Sequence, residues 1–393
     1  MSDTPHRVRI GMVGGGPGAG IAESHRMGIR MDGRFDLVAG VFSRDPDKSA
    51  ATARRLAIDP ARAYTSFEEM AERETERDDG IEVVSVVTPN ESHFAVSRAF
   101  LDRGIHVVCD KPLTDNLDDA VALHRLALKR QRLMVLTHNY SAYAMVREAA
   151  DMVRKGVLGE IRMVQAEHAS GWAAGRVEED AGNKQAAWRT DPDQAGRESM
   201  LLDLGTHVHH MVRFVSGLEI ESLSAELHTV VPGRRVYDDA NVLTRYSNGA
   251  RGSLWITMAA TGQEHGLRFR LIGERASLEW RHEAPGHLYL RHVDGRCEIL
   301  AQGSAALGPE AAALTRVGLG HPEGFPASFA NLYRNMADEI EARREGRHDE
   351  SAPRLPDSRD GVMGLAFVNA VLASADADGR WVSAAAPLAP SGG

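Results

Sequence analysis

The sequence predicts a chain in two parts, α/β followed by α+β: a parallel sheet with helices on both faces, then an open, mainly antiparallel sheet. Three observations predict it. The 393 residues exceed what one ordinary core accommodates and suit two domains. From residue 7 to about residue 137, short β-branched runs alternate with helical patterns. Beyond about residue 158 the rhythm becomes apolar and polar in strict alternation, the period of strands covered on one face.

The first-half strands are read at Val8–Val13, Leu37–Phe42, Val83–Val87, His106–Cys109 and Leu133–Thr137. Their near-continuous apolar character suits strands buried on both faces, and each gap has room for a crossover helix. Between the third and fourth runs, Glu91–Arg103 sets Phe94, Ala95, Ala99 and Leu101 among polar residues and stops at Gly104. In the second half the alternating sets are Ile161, Met163 and Gln165; Leu223, Ala225, Leu227 and Thr229; Leu254, Ile256 and Met258; and Leu267, Phe269 and Leu271. Trp255, Leu278, Trp280 and Leu288 are candidates either for a subunit interface on the open face or for the core. The expected division is a first domain over 1–140, a second over 141–380 whose helix at 360–375 packs back on one of the two, and a flexible tail over 381–393. No internal repeat or long low-complexity segment is present.

Composition narrows the class. Hydrophobic residues make up 43% and charged residues 26%, which excludes a disordered, collagen-like or fibrous chain. Lys plus Arg is 46 against 55 for Asp plus Glu, a net charge of −9, so no general attraction to nucleic acid or anionic lipid is expected. Cys109 and Cys297 stand far apart with no C-x-x-C, which fits a reducing compartment, and a cytoplasmic location is expected. The N-terminus passes directly from polar residues into the first strand without a signal-peptide pattern, and apolar runs such as Val83–Val87 are too short to cross a bilayer.

The first strand runs into Gly14-Gly15-Gly16-Pro17-Gly18-Ala19-Gly20, where Gly14, Gly16 and Ala19 satisfy G-x-G-x-x-G/A between a strand and a helix. Glycine permits the tight turn and a close backbone approach to a pyrophosphate, which accepts hydrogen bonds from helix N-terminal amides. The first domain is therefore read as a Rossmann dinucleotide-binding domain. At the second strand an acidic residue commonly takes the ribose 2′-hydroxyl of NAD, but here Ser43-Arg44-Asp45 follows. Ser43 and Arg44 suit the 2′-phosphate of NADP, whereas an inward Asp45, or Arg44 stacked on adenine, suits NAD; both cofactors stay open.

The third strand ends in Thr88-Pro89-Asn90 with His93 just beyond, and the fourth in Asp110-Lys111-Pro112. Ligands of open α/β sheets bind outside the carboxyl ends of strands, so both segments are expected to face the nicotinamide. Further on, Asp203 and His207 share a helical face at i, i+4 spacing, which is acid/base equipment near neutrality. His210 joins that face, yet H-E-x-x-H is absent and no second ligand cluster has metal spacing, so no metal is expected.

Together the Gly-rich turn, Thr88-Pro89-Asn90 with His93, Asp110-Lys111-Pro112 and Asp203-x-Gly205-x-His207 resemble the glucose-fructose oxidoreductase and inositol dehydrogenase family, Gfo/Idh/MocA, over nearly the whole chain. The resemblance implies an NAD(P)-dependent dehydrogenase or reductase of a sugar, inositol or related polyol, dimeric or tetrameric through the open sheet. It equates Lys111 with the lysine of the family's E-K-P motif and Asp203 and His207 with its D-x-G-x-H pair. Asn90 and His93 match the loop near the nicotinamide, while Asn139, Tyr140, Trp188 and Arg189 occupy regions that line the sugar pocket. Three departures stand out: a longer path from the Gly-rich loop to His25, Asp110 in place of glutamate, and Gly196-Arg197-Glu198-Ser199-Met200 in place of a glycine run.

The expected mechanism is hydride transfer at a carbinol carbon in a cleft between the domains, with His207 taking the hydroxyl proton, Lys111 hydrogen-bonding the same oxygen and Asp203 supporting His207; Lys111 and His207 could exchange proton-transfer roles. Two alternatives accompany it: a redox-neutral glycoside hydrolase that oxidises its sugar transiently, and a nucleotide-sensing regulator without catalysis.

Overall fold

The computed structural model describes residues 7–180, 182–347 and 355–388; the first six residues and the last five of the expected tail lie outside them. The chain divides into two compact units, Met1–Ala142 with Gly324–Val362, and Tyr143–Glu323 with Met363–Gly393. In chain order come β1 (Val8–Gly14), α1 (Gly20–Met31), β2 (Phe35–Val41), α2 (Pro46–Arg55), α3 (Phe67–Thr75), β3 (Val83–Val87), α4 (His93–Asp102), β4 (His106–Cys109), α5 (Leu117–Arg130) and β5 (Met134–Leu136). The second unit opens with α6 (Ala144–Arg154), β6 (Ile161–Ala169), α7 (Lys184–Arg189), α8 (Pro192–Ala195) and α9 (Thr206–Ser216). It continues with β7 (Ile220–His228), β8 (Asp239–Tyr246), β9 (Arg251–Thr257), β10 (Leu267–Gly273), β11 (Ala276–Arg281), β12 (His287–His292), β13 (Cys297–Ala301) and α10 (Pro309–Ala313). Last are α11 (Phe325–Arg344), α12 (Ser358–Asp376) and β14 (Val382–Ser383).

The first unit is built on a parallel sheet in the order β2-β1-β3-β4-β5. The order reverses between β1 and β3, the switch point at which open α/β sheets bind ligands. Ile10, Met12, Val83, Val87, Val108 and Val135 form one buried cluster with Phe329, Leu332, Tyr333, Met336 and Ile340 of α11. A Cβ at Gly28 of α1 would lie 3.0 Å from the backbone carbonyl carbon of Phe329, so a glycine lets the two helices close on each other. This differs from the expected division: α11, far along the chain, belongs to the first unit, and the boundary then passes through α12 rather than around it. Long-range packing of an apolar helix stripe decides this, and spacing along the chain does not reveal it.

The second unit is a nine-stranded sheet, β13-β12-β11-β10-β6-β9-β8-β7-β14, parallel only at β6–β9. One face is covered by helices. Val164, Leu254, Ile256, Phe269, Leu278, Trp280 and Leu288 are all buried, and every residue of α9 is buried as well. Leu278, Trp280 and Leu288 are therefore core, and of the four interface candidates Trp255 alone points outward, 38% exposed. The expected tail is a strand at its start: Val382 and Ser383 pair with Leu223 and Ser222. Among the described residues no helix is long and apolar enough to cross a membrane.

Candidate active site

Parallel register sets the carboxyl ends of the strands side by side. Gly14 at the end of β1 pairs with Val87 of β3, Val86 with Cys109 of β4, and Cys109 with Leu136 of β5. Gly14 has a φ of +92°, and a Cβ there would lie 2.5 Å from the Val87 carbonyl oxygen, so glycine is required. Gly16 follows, and Pro17 and Gly18 form the exposed tip of the loop. Ala19, the N-cap of α1, offers no side-chain cap to the first-turn amides. Uncapped amides at a glycine-rich helix start are what a pyrophosphate satisfies, so this cradle fits a dinucleotide.

At the end of β2 the alternatives raised by Ser43-Arg44-Asp45 are resolved in part. The Asp45 carboxylate caps α2, accepting from the amides of Asp47 at 3.0 Å and Lys48 at 3.2 Å, rather than turning inward. Ser43 Oγ accepts from the Asp45 amide at 3.1 Å. Arg44 meets Glu91 at 3.2 Å with its side chain 85% exposed.

The turn after β4 is held from several sides. Asp110 Oδ1 accepts from the Lys111 amide at 3.0 Å and from the Thr137 hydroxyl at 2.6 Å, and the Lys111–Pro112 bond is cis. Aspartate thus orients the backbone that carries Lys111. In the turn after β3, the Ser92 hydroxyl donates to Thr88 Oγ1 or the Pro89 carbonyl, both at 2.7 Å, and Asn90 opens a short 3₁₀ turn. His93, expected in the loop near the nicotinamide, is fully buried, with its ring nitrogens 2.8 Å from the Pro112 carbonyl and 2.9 Å from the Thr88 carbonyl. Asn139 and Tyr140, expected at the sugar pocket, are interior: Asn139 donates to Ser328 Oγ at 2.9 Å and Tyr140 packs on Phe325. Both serve to seat α11 on the first unit.

In the second unit, Asp203 lies in a π-turn, Leu201–Gly205, that leads directly into α9. π-turns insert an extra residue and often mark functional positions. Arg189 donates through Nε to Asp203 Oδ2 at 3.2 Å, and its guanidinium lies 4.5 Å from the centre of the Trp188 ring. Three predicted site residues, Trp188, Arg189 and Asp203, are thereby brought together. Arg197, from the departing segment, covers the Tyr237 ring at 4.7 Å. His207 is 6% exposed and begins a row of imidazoles absent from the sequence reading: its centre is 6.1 Å from His168, which stacks on His265 at 4.5 Å, which stacks on His282 at 3.9 Å. Burial lowers the basicity of His282. His168 lies on β6 and His265 and His282 in two turns of the sheet, so strand pairing aligns these three and α9 brings His207 to the end of the row. Among the described residues no group of His, Cys, Asp and Glu is placed to hold a metal ion.

Residues 8–138 match the oxidoreductase family with an NAD-binding Rossmann fold, and residues 146–279 match the GFO/IDH/MocA C-terminal domain. The uncharacterized oxidoreductase YfiI of Bacillus subtilis (strain 168) is 32% identical over 95% of this chain and 96% of its own. A crystal structure of an inositol dehydrogenase homolog complexed with NAD+ from Azotobacter vinelandii is 37% identical, covers 97% of this chain and 98% of that one, and has a TM-score of 0.92. The homolog's complex with NADH and myo-inositol is 36% identical with a TM-score of 0.89, over 96% of this chain and 98% of that one. With both family models matched and a relative 32% identical over 95% of its length, the chain belongs to the GFO/IDH/MocA family of NAD-binding oxidoreductases.

Proposed function

We propose that the protein transfers a hydride between NAD and a secondary carbinol carbon of a cyclic polyol or sugar. The observation that carries this reading is the turn Asp110-Lys111-Pro112, held at the carboxyl edge of the sheet beside the glycine cradle. Likeness to a homolog complexed with NADH and myo-inositol supports the polyol class. When bound, the nicotinamide supplies the hydride acceptor or donor.

The chain's own residues handle the oxygen and its proton. Lys111 hydrogen-bonds the alcohol oxygen and stabilises the negative charge that develops as the C–H bond breaks. His207 takes the hydroxyl proton in oxidation and returns it in reduction, with Asp203 favouring the charged imidazole. Trp188 and Arg189 form a wall beside Asp203. Alcohol and NAD+ thus become ketone, NADH and one proton. NAD is proposed over NADP on the likeness to the Azotobacter vinelandii homolog complexed with NAD+ and with NADH.

A panel of inositols, sugars and glycosides offered with both cofactors, followed by nicotinamide absorbance, tests the reading together with Lys111→Met. Removing the ammonium should lower kcat about a thousandfold and leave NAD affinity within about threefold. Near-normal turnover in that variant would remove Lys111 from the chemistry. Release of an aglycone without net NADH would indicate the hydrolase instead, and tight NAD binding with no turnover across the panel would indicate a regulator.

A second copy of the chain is proposed to cover the outward face of the nine-stranded sheet. That face carries Leu243 at 55% and Trp255 at 38% exposure beside a groove of about 870 Å³. Exposed apolar side chains on an uncovered sheet suit a self-complementary contact. Light scattering should report at least a dimer, and Leu243→Glu with Trp255→Glu should yield monomer.

A further inference from the structure

His93 opens α4 with no exposed surface, and its two ring nitrogens face two backbone carbonyls, Nδ1 to Pro112 at 2.8 Å and Nε2 to Thr88 at 2.9 Å. A carbonyl oxygen only accepts, so each of these bonds needs an N–H. Neutral imidazole carries one N–H and imidazolium carries two. In the neutral form one nitrogen lone pair would point at a carbonyl lone pair within hydrogen-bonding distance, in a place that water does not reach. We infer that His93 is a buried imidazolium that clamps the turn after β3 to the turn after β4 and so positions Lys111.

The placement of the clamp supports this role. Lys111 lies between Asp110 and Pro112, and both neighbours are tied down: Asp110 by the Lys111 amide and Thr137, Pro112 by His93. The other end of the clamp, Thr88, follows β3, whose Val87 pairs with Gly14 of the cofactor cradle. One ring thus ties the lysine turn to the strand beside the cradle. The titratable groups that face it are Cys109 of β4, whose side chain also hydrogen-bonds the ring, and Asp110 beyond it. Burial opposes the charge, but Cys109, Asp110 and the Pro112 carbonyl outweigh it and hold the imidazole up at about 9. Two charge-assisted hydrogen bonds compensate a buried cation better than neutral ones do. His93 is a positioning residue, with no part in the proton transfer itself.

The functional half of this inference rests on the proposed hydride transfer; the charge state does not. In protein labelled with ¹⁵N-histidine, the resonance lost in His93→Gln, or in His93→Asn should that variant not fold, identifies the ring. Both nitrogens should carry protons at neutral pH and remain so until the pH approaches about 9. One bare nitrogen at neutral pH would overturn the imidazolium. For positioning, His93→Phe keeps a planar ring and removes both donors; kcat should fall about 10- to 100-fold with substrate KM and NAD affinity nearly unchanged, as for a displaced reacting group. His93→Gln, which keeps an amide donor, should recover part of the loss. The Lys111 side-chain resonance, assigned through Lys111→Met, should move in His93→Phe. An unmoved resonance, or unchanged kcat, would overturn the positioning role. Were no polyol turned over by the wild type, the two resonances would still decide the inference, and the failure would belong to the proposed reaction.

Discussion

Two regions of the parallel-sheet unit each bury a histidine completely and leave it in opposite states. At the carboxyl edge of the sheet, His93 faces two carbonyls and is held up at about 9. In the layer between the sheet and α11, His25 Nδ1 meets the Tyr333 hydroxyl at 2.8 Å, and that hydroxyl lies 2.9 Å from Ser85 Oγ. Burial pushes His25 down to about 4, with Asp110 working against it and Arg26 with it. The two rings share their exclusion from water, so burial does not decide the charge. What faces each ring does: the hydroxyl beside His25 can donate or accept and suits a neutral ring, whereas His93 faces two carbonyls that only accept, with Cys109 and Asp110 alongside.

The largest effect that would break this contrast is the pH dependence of stability. His93 binds its proton more tightly in the folded chain than the ordinary 6.5, so its contribution is full below 6.5 and is lost as pH climbs through about 9. His25 binds its proton less tightly when folded, so its contribution is full above 6.5 and is lost as pH falls through about 4. Each contribution is about 3 kcal/mol at most. Urea unfolding of His93→Gln across pH should lose the alkaline slope and keep the acid one, and His25→Gln should do the reverse. An unchanged pair of slopes would end the contrast.

Smaller effects sharpen it. Tyr333→Phe removes a hydroxyl bonded to both His25 and Ser85 and should cost about 1–2 kcal/mol, read from the urea midpoint. Asp110→Asn removes a carboxylate that favours the charged form of both rings, so the His93 and His25 titrations should both move downward. At the small end, Arg44→Ala breaks an exposed pair with Glu91 and should change stability by less than about 0.5 kcal/mol, while altering the ratio of NAD to NADP affinity severalfold.

Much of the first unit was legible because its signals are local. Val8–Val13, Val83–Val87 and His106–Cys109 are strands as read, and the glycine turn lies where a strand meets a helix. Phe35 starts β2 two residues before the expected Leu37, a boundary set by pairing with Val8. What escaped was long-range. Nothing near Phe325–Arg344 announces that this helix closes the first unit, since its partner surface on α1 is some three hundred residues earlier. Trp280 and Leu288 read as well for an interface as for a core, and only the helices covering one sheet face decide it. His168, His265 and His282 line up in a row that ends at His207, an arrangement of strand pairing and helix packing that no spacing encodes. His93 was found by its motif, but its role depends on carbonyls that have no side-chain signature.

If Lys111 and His207 act on one alcohol, as proposed, a double-mutant cycle in kcat/KM shows it. Lys111→Met and His207→Asn are each expected to lose about two to three orders of magnitude, and the double variant no more than about the worse single, because groups that serve one transition state are not additive. Losses that multiply in the double variant, with NAD affinity intact throughout, would show the two residues acting independently and would contradict the account.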